Sequence, residues 1–268
     1  MMLRLDGKVA FVSGAGSVGP GWGNGRACAV LLARQGARVF CTDLHREGLD
    51  ETMRLLAAEG LEAVAHPADA TDSDAVAEAM AACVARFGGL DLLVNNVGGS
   101  APGGAEDMAE EVFDRQLQHN LKSAFLGCKH AIPLMRARGG GAIVNLASIA
   151  ALRVSPTRPH VGYTASKMAV IGLSRSVAIR HAKEGIRCNT VVPGLMHTPL
   201  VEHRLVGQLG ANDAAELIAR RHALVPMGHM GDGWDVAHAA LFLLSSEARF
   251  ITGTELLVDG GAAVAGGT

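Results

Sequence analysis

Short, continuously apolar runs alternate along most of this chain with stretches in which apolar residues recur every three or four positions. Lys8 to Ser13 (KVAFVS) reads as a strand that ends in a cluster of glycines, and Gly25 to Gln35 carries the helical period until Gly36 stops it. The alternation then repeats. Strands are predicted at Arg38 to Thr42, Ala63 to Ala65, Leu90 to Val94, Ala142 to Leu146, Arg187 to Val192 and Glu255 to Val258. Between them lie helices at Glu47 to Ala58 and Ser73 to Phe87, a long helical region from Glu106 to Met135, a helix starting near Tyr163, and one from Trp234 to Ser245. Strands that are apolar throughout, each followed by a helix, bury both faces. The expected fold is therefore α/β, a doubly wound parallel sheet of seven strands flanked by helices.

No proline- or serine-rich linker and no change in composition divides the 268 residues, so a single domain is expected over 1–268. The least regular part, residues 194–233, interrupts the alternation and is the candidate substrate lid.

Composition narrows the function classes. With 24 basic and 26 acidic residues the chain has no global field for nucleic acid or an anionic membrane, which leaves a small molecule as the expected partner. No apolar run approaches the ~18 residues of a membrane span, and the N-terminus carries no export pattern. The five cysteines, Cys28, Cys41, Cys83, Cys128 and Cys188, lie singly in apolar segments and read as reduced thiols of a cytoplasmic protein. Eleven histidines show neither HxH nor HExxH spacing, so no metal site is expected. Thirty-four glycines point to many close backbone approaches.

Between the first strand and the first helix stands SGAGSVGPGWGNGRA, Ser13 to Ala27. Glycines here would let backbone approach a pyrophosphate resting on the helix N-terminus. Gly14, Gly16 and Gly19 satisfy GxGxxG literally, but Pro20, Gly21 and Gly23 follow at once and would interrupt the helix. If Gly14, Gly23 and Gly25 are the working glycines, with Asn24 between the last two, the helix follows directly. Val18 to Trp22 then form a five-residue insertion. Asp43 closes the second strand 18 residues after Gly25, near the spacing at which an acid takes the adenosine ribose of NAD and repels the 2′-phosphate of NADP. Its alternative role is a helix cap, and Arg46 lies close enough to weaken the preference for NAD.

Ser148 ends the fifth strand, and Tyr163, the only tyrosine, precedes Lys167 by four residues, on the same helical face. Taken alone, Tyr163 reads equally as a buried phenol bonded to backbone. Together with NNVG (Asn95 to Gly98), Asn120, YTASK (Tyr163 to Lys167), PGLMHT (Pro193 to Thr198) and VDGG (Val258 to Gly261), the chain resembles the short-chain dehydrogenase/reductase family over nearly its whole length. The family's fold is a single Rossmann-like domain. The resemblance implies Tyr163 as acid/base, Lys167 as its activator and ribose anchor, Ser148 as the group orienting the substrate oxygen, and Asn120 in a proton relay. It also implies that Asp69 and Ala70 border the adenine, that Asn96 and Gly98 border the adjacent ribose, and that Met196 and Thr198 meet the nicotinamide amide. An adjacent ammonium and a cationic nicotinamide would favour phenolate in a side chain whose ordinary pKa is ~10.

Three departures stand out: the long glycine loop, Val97 where alanine is usual, and about two extra residues between Ser148 and Tyr163. The expected activity is NAD-dependent interconversion of a secondary alcohol and a ketone. An NADP-dependent reductase of oxoacyl thioesters and a non-catalytic nucleotide-binding protein are the alternatives. Assembly as a homotetramer or dimer is what the resemblance implies. Arg153, Arg158 and His160 between Ser148 and Tyr163, with His197, His203 and Arg204 in the lid, suggest either an anionic substrate or an ordinary solvated loop.

Overall fold

A computed structural model describes residues 3–155, 158–201 and 214–265. The chain alternates β1 (Val9–Ser13), α1 (Asn24–Arg34), β2 (Arg38–Asp43), α2 (Arg46–Ala58), β3 (Ala63–Pro67), α3 (Ser73–Phe87) and β4 (Leu92–Asn95). There follow α4 (Glu110–Leu117), α5 (Ser123–Ala137), β5 (Gly141–Leu146), α6 (Val161–His181) and β6 (Ile186–Pro193). A short β7 (Met196–His197), α7 (Ala214–Ala223), β8 (Gly231–Asp232), α8 (Gly233–Leu244) and β9 (Glu255–Val258) complete the chain.

Seven strands form one sheet in the order β3-β2-β1-β4-β5-β6-β9, and every pairing is parallel. The apolar runs explain this directly. In β1, Ala10 and Val12 enter the core shared with α1 and α8, while Val9 and Phe11 enter the opposite core with α3 and α5. A strand buried on both faces needs apolar residues at every position, which is what its sequence carries. Strand order reverses between β1 and β4, and the crevice opens at the carboxyl ends of these two strands.

The long helical region differs from expectation. It begins at Glu110 rather than Glu106, and Gln118–Lys122 form a π-helical turn between α4 and α5. Asn120 lies within that turn and donates through Nδ2 to the Gln116 carbonyl at 3.0 Å. An extra residue in a helical turn re-aims the side chains around it, and here it aims Asn120 toward the loop after β4. Within residues 194–233 the described segments include β7, which pairs with β8, and α7; no strand was expected there.

Polar side chains in the sheet are tied to one another. Asn95 Nδ2 donates to Asn145 Oδ1 at 2.8 Å, and Asn145 Nδ2 donates to Ser174 Oγ at 2.8 Å, linking β4, β5 and α6. Gly127 on α5 is where the helix backbone passes this chain: a Cβ there would stand 2.1 Å from Asn95 Oδ1. Gly127→Ala is expected to destabilise the protein by about 1–3 kcal/mol, the usual cost of overpacking, because Asn95 cannot yield without breaking the link to Asn145. Urea unfolding with an unchanged midpoint would disprove this.

Candidate active site

The glycine loop is shaped by one close approach. Gly25, in the first turn of α1, lies so near β1 that a Cβ would stand 1.8 Å from the Gly14 carbonyl oxygen and 2.5 Å from Asn96 Nδ2. Asn96 Nδ2 donates to that same carbonyl at 2.8 Å, which fixes the end of β1 to the loop after β4. Gly14 has φ +74°, a left-handed conformation suited to glycine. The helix starts at Asn24 with Gly23 as its N-cap, and Gly23 makes no side-chain cap bond. The literal GxGxxG register therefore does not run into the helix, and Val18 to Trp22 bulge between loop and helix.

The sequence does not announce what holds that bulge. Arg26, almost wholly buried, donates to the Gly21 carbonyl at 2.6 Å, to Thr52 Oγ1 at 3.1 Å and to the Gly48 carbonyl at 3.2 Å. Trp22 packs its ring 4.5 Å from that of Trp234 on α8. Near this loop, Ser17 Oγ and Asn24 Oδ1 are buried without a hydrogen-bond partner among the described residues, and both residues line the main cavity. Unsatisfied polar atoms beside an uncapped helix start suit a bound phosphate group.

Asp43 lies at the end of β2. Its Oδ2 accepts from the Gly16 amide at 3.0 Å and its Oδ1 from the His45 amide at 3.1 Å. It is not the cap of α2, whose N-cap is His45. Asp69 accepts from the amide and hydroxyl of Thr71 at 2.8 and 2.7 Å, while Asp72 caps α3, so Asp69 is not the helix-start acid. Asp43, Asp69 and Ala70 all line the cavity.

At the other end of the crevice Ser148 follows β5, and Tyr163 and Lys167 project from the first turns of α6. Lys167 is buried, and Nζ donates to the Leu146 carbonyl at 2.7 Å. Asn120 Oδ1 accepts from the Gly99 amide at 2.8 Å and its Nδ2 donates to the Gly99 carbonyl at 3.0 Å. Asn120 and Lys167 converge over Gly98: a Cβ there would lie 2.8 Å from Asn120 Oδ1 and 2.9 Å from Lys167 Nζ. Met196 packs its side chain largely into the core, and both it and Thr198 line the cavity.

In the chain alone the electrostatics favour the neutral phenol. Burial pushes the Tyr163 phenol above its ordinary value, and a hydrogen bond with Ser148 draws it partly back. Burial lowers the Lys167 ammonium to about 8. The ammonium lies 5.9 Å from the centre of the Tyr163 ring, so it does not by itself make a phenolate here. The chain alone holds a protonated phenol; a further positive charge is needed to release its proton.

One cavity of about 680 Å³ joins these groups, with Asp43 and Gly14 toward one end and Ser148, Tyr163 and Lys167 toward the other. All five cysteines are buried and unpaired, away from this site. Of the cationic residues singled out in the sequence, Arg153, Arg158 and His160 line the cavity, whereas His197 is exposed and packs edge-on to His222. His203 and Arg204 lie outside the described residues. Arg221 also lines the cavity; in the sequence it was one half of an Arg-Arg pair on a helix with nothing to separate it from surface charge.

A seven-stranded parallel sheet with a glycine loop at its switch point and a Ser-Tyr-Lys group beside it defines a nicotinamide-dependent oxidoreductase. Comparison with known proteins agrees. Residues 20–263 match a family model described as enoyl-(acyl carrier protein) reductase. The chain is 37% identical over 261 residues to 2,5-dichloro-2,5-cyclohexadiene-1,4-diol dehydrogenase LinX of Sphingobium indicum, covering 97% of this chain and 98% of the relative. It is 35% identical over 262 residues to cyclohexanol dehydrogenase of an Acinetobacter species, covering 97% and 96%. The crystal structure of a short-chain dehydrogenase/reductase from Burkholderia xenovorans superposes with a TM-score of 0.91 at 46% identity, covering 98% and 99% of the two chains. The chain belongs to the short-chain dehydrogenase/reductase family. It is an oxidoreductase that acts on CH–OH groups with a nicotinamide dinucleotide.

The depressed Lys167 has a measurable consequence for the ligand-free protein. Unfolded, its amine titrates near ~10.4; folded, at about 8. Between these values the unfolded chain holds more protons, so this group makes unfolding harder as pH rises, by at most ~1.4 kcal/mol per pH unit. Below pH 8 the cost of charging the buried amine is present in full. Lys167→Met removes that dependence. The stability of the variant minus that of the wild type is expected to fall between pH 8 and 10, and a difference that stays flat across the window would show that the folded amine is not depressed.

Proposed function

We propose that this protein is an NAD-dependent dehydrogenase that interconverts a secondary alcohol and a ketone, with Tyr163 as the acid/base. The observation that carries the reading is the convergence of Ser148, Tyr163 and Lys167 at one end of a cavity whose other end holds Asp43 and the Gly14–Gly25 approach. Bound there, NAD⁺ would supply the hydride acceptor and a positive charge. Gly14, Gly23, Asn24 and Gly25 would bring backbone amides and the orphaned Ser17 and Asn24 atoms to the pyrophosphate. Asp43 would take the adenosine ribose hydroxyls, with Asp69 and Ala70 at the adenine and Asn96 and Gly98 at the nearby ribose. Met196 and Thr198 would meet the nicotinamide amide.

The chain's own residues then divide the proton work. Ser148 positions the substrate oxygen beside the Tyr163 hydroxyl. Tyr163 takes the alcohol proton during oxidation and returns it to a ketone during reduction, the direction that its raised pKa favours in the chain alone. Lys167, held by the Leu146 carbonyl, steadies the charge that develops on the phenol, and Asn120, facing it over Gly98, leads the proton on toward solvent. Residues 194–233, of which 202–213 lie outside the described residues, would form the substrate lid. Exposed Phe125 on α5 and exposed Met168 and Ile179 on α6 support a homo-oligomer, dimer or tetramer, joined through these helices.

Tyr163→Phe is expected to lower kcat by roughly 10²–10⁴-fold with retained NAD⁺ binding, the usual contribution of a positioned acid/base. Turnover that survives the change across an alcohol and ketone panel would overturn the catalytic reading and favour a nucleotide-binding protein. At equal concentrations NAD⁺ is expected to outperform NADP⁺, and Asp43→Ala to narrow the preference by about tenfold or more as the repelling carboxylate is removed. A wild-type preference for NADPH would instead identify a biosynthetic reductase.

A further inference from the structure

Charge is distributed unevenly along the cavity. Among the described residues that line it, the only carboxylates are Asp43 and Asp69, and both stand at the adenosine end. The lining also carries three arginines, Arg153, Arg158 and Arg221.

These arginines are not equally committed. Arg153 donates to the Ala262 carbonyl and so is tied to the chain's last turn. Arg221 reaches the cavity from α7, only partly exposed, with Nε directed to Met230 Sδ at 3.3 Å. No carboxylate among the described residues pairs with Arg158 or Arg221. The charges that Arg221 does feel are repulsive: Arg158 and Arg220, added to its own burial, lower its pKa. Two guanidinium groups that line one cavity and feel each other's charge, one of them partly desolvated and neither paired with a carboxylate among the described residues, are unfavourable unless an anion joins them. Each keeps terminal N–H donors, and planar donors from two directions suit an oxyanion of two or three oxygens.

We infer that the mouth formed by Arg158 and Arg221 recognises an oxyanion on the substrate, so that the enzyme acts on a hydroxyl or keto compound bearing a carboxylate, sulfonate or phosphate. The position matches this role. Arg158 comes from the longer connection between Ser148 and Tyr163, and Arg221 from the segment after β6 that rises over the same crevice, so the anion sits on the substrate side of the Tyr163 hydroxyl. The inference rests on the dehydrogenase reading for the site but not on Tyr163 chemistry, and binding tests it separately.

The probes are 4-oxopentanoate, 4-oxopentane-1-sulfonate and 4-oxopentyl phosphate, with 4-oxopentanamide as the neutral counterpart. Each is titrated calorimetrically into protein saturated with the oxidised dinucleotide it binds, a complex in which a ketone cannot be reduced. At least one anion is expected to bind roughly ten- to hundredfold tighter than the amide, the range of one charge-assisted hydrogen bond. Which anion leads identifies the source of the oxyanion. Arg158→Gln and Arg221→Gln should each remove that advantage while leaving amide and dinucleotide affinity unchanged. Equal binding of anions and amide, or an advantage that survives both variants, overturns the inference. So does a loss of dinucleotide affinity in the variants, which would assign the arginines to cofactor phosphates. Arg158 lies on a connecting loop, so its variant remains informative if Arg221→Gln fails to fold. Failure of the Tyr163→Phe experiment would change none of these outcomes.

Discussion

The contact between the Gly14 carbonyl, Gly25 and Asn96 is the constraint on which the site depends. It brings three elements together at the switch point of the sheet: the end of β1, the first turn of α1 and the loop after β4. Only a residue without a Cβ can occupy position 25, and only with the helix that close does its N-terminus face the crevice. The carboxylate of Asp43 holds the next part of the same loop through the Gly16 amide. From there Asn96 leads within two residues to Gly98, over which Asn120 and Lys167 meet. The glycine loop and the Asn120–Lys167 pair thus share one short piece of backbone.

The second half of the site is built against its own stability. Lys167 is buried with a single backbone carbonyl as hydrogen-bond acceptor, and Tyr163 is buried as a protonated phenol. Burial shifts both toward their neutral forms, and holding the amine charged below about 8 costs stability. Strain of this kind at a functional site is offset elsewhere, here by the doubly buried strands of the central sheet, where apolar residues fill both faces.

Much of the fold was legible because the strands are continuously apolar and the helices periodic, a contrast strong enough to resolve without tertiary information. The π-helical turn at Gln118–Lys122 was not, since an inserted helical residue leaves the apolar period almost unchanged over one turn. β7 and β8 are two residues each, too short for any alternation to show. Ser148, Tyr163 and Lys167 drew attention by their placement, a sole tyrosine four residues before a lysine and after a strand-end serine, but the roles expected of them came from the family resemblance. Arg26 could not: an arginine beside Gly25 reads as surface charge, and only the path of the inserted loop turns it inward to Gly21 and Gly48. Arg221 was hidden for the same reason. The side chain's neighbours lie far away in sequence, on the connection before α6. A helical spacing of four residues says that Tyr163 and Lys167 share a face, not how far apart their polar ends lie, so the effect of the ammonium on the phenol in the chain alone was not legible.

The bulge at Val18 to Trp22 also gives the protein a built-in optical probe. Its two tryptophans, Trp22 in the bulge and Trp234 at the start of α8, pack with ring centres 4.5 Å apart and planes tilted by 53°, and Arg34 lies over the second at 5.0 Å. All the intrinsic indole emission of the chain therefore arises from one spot. Gly21 in the bulge lies against Pro199, at the root of the segment that follows β6. Emission from this pair reports the contact between the glycine-loop bulge and Pro199, with no label added and no indole elsewhere to subtract.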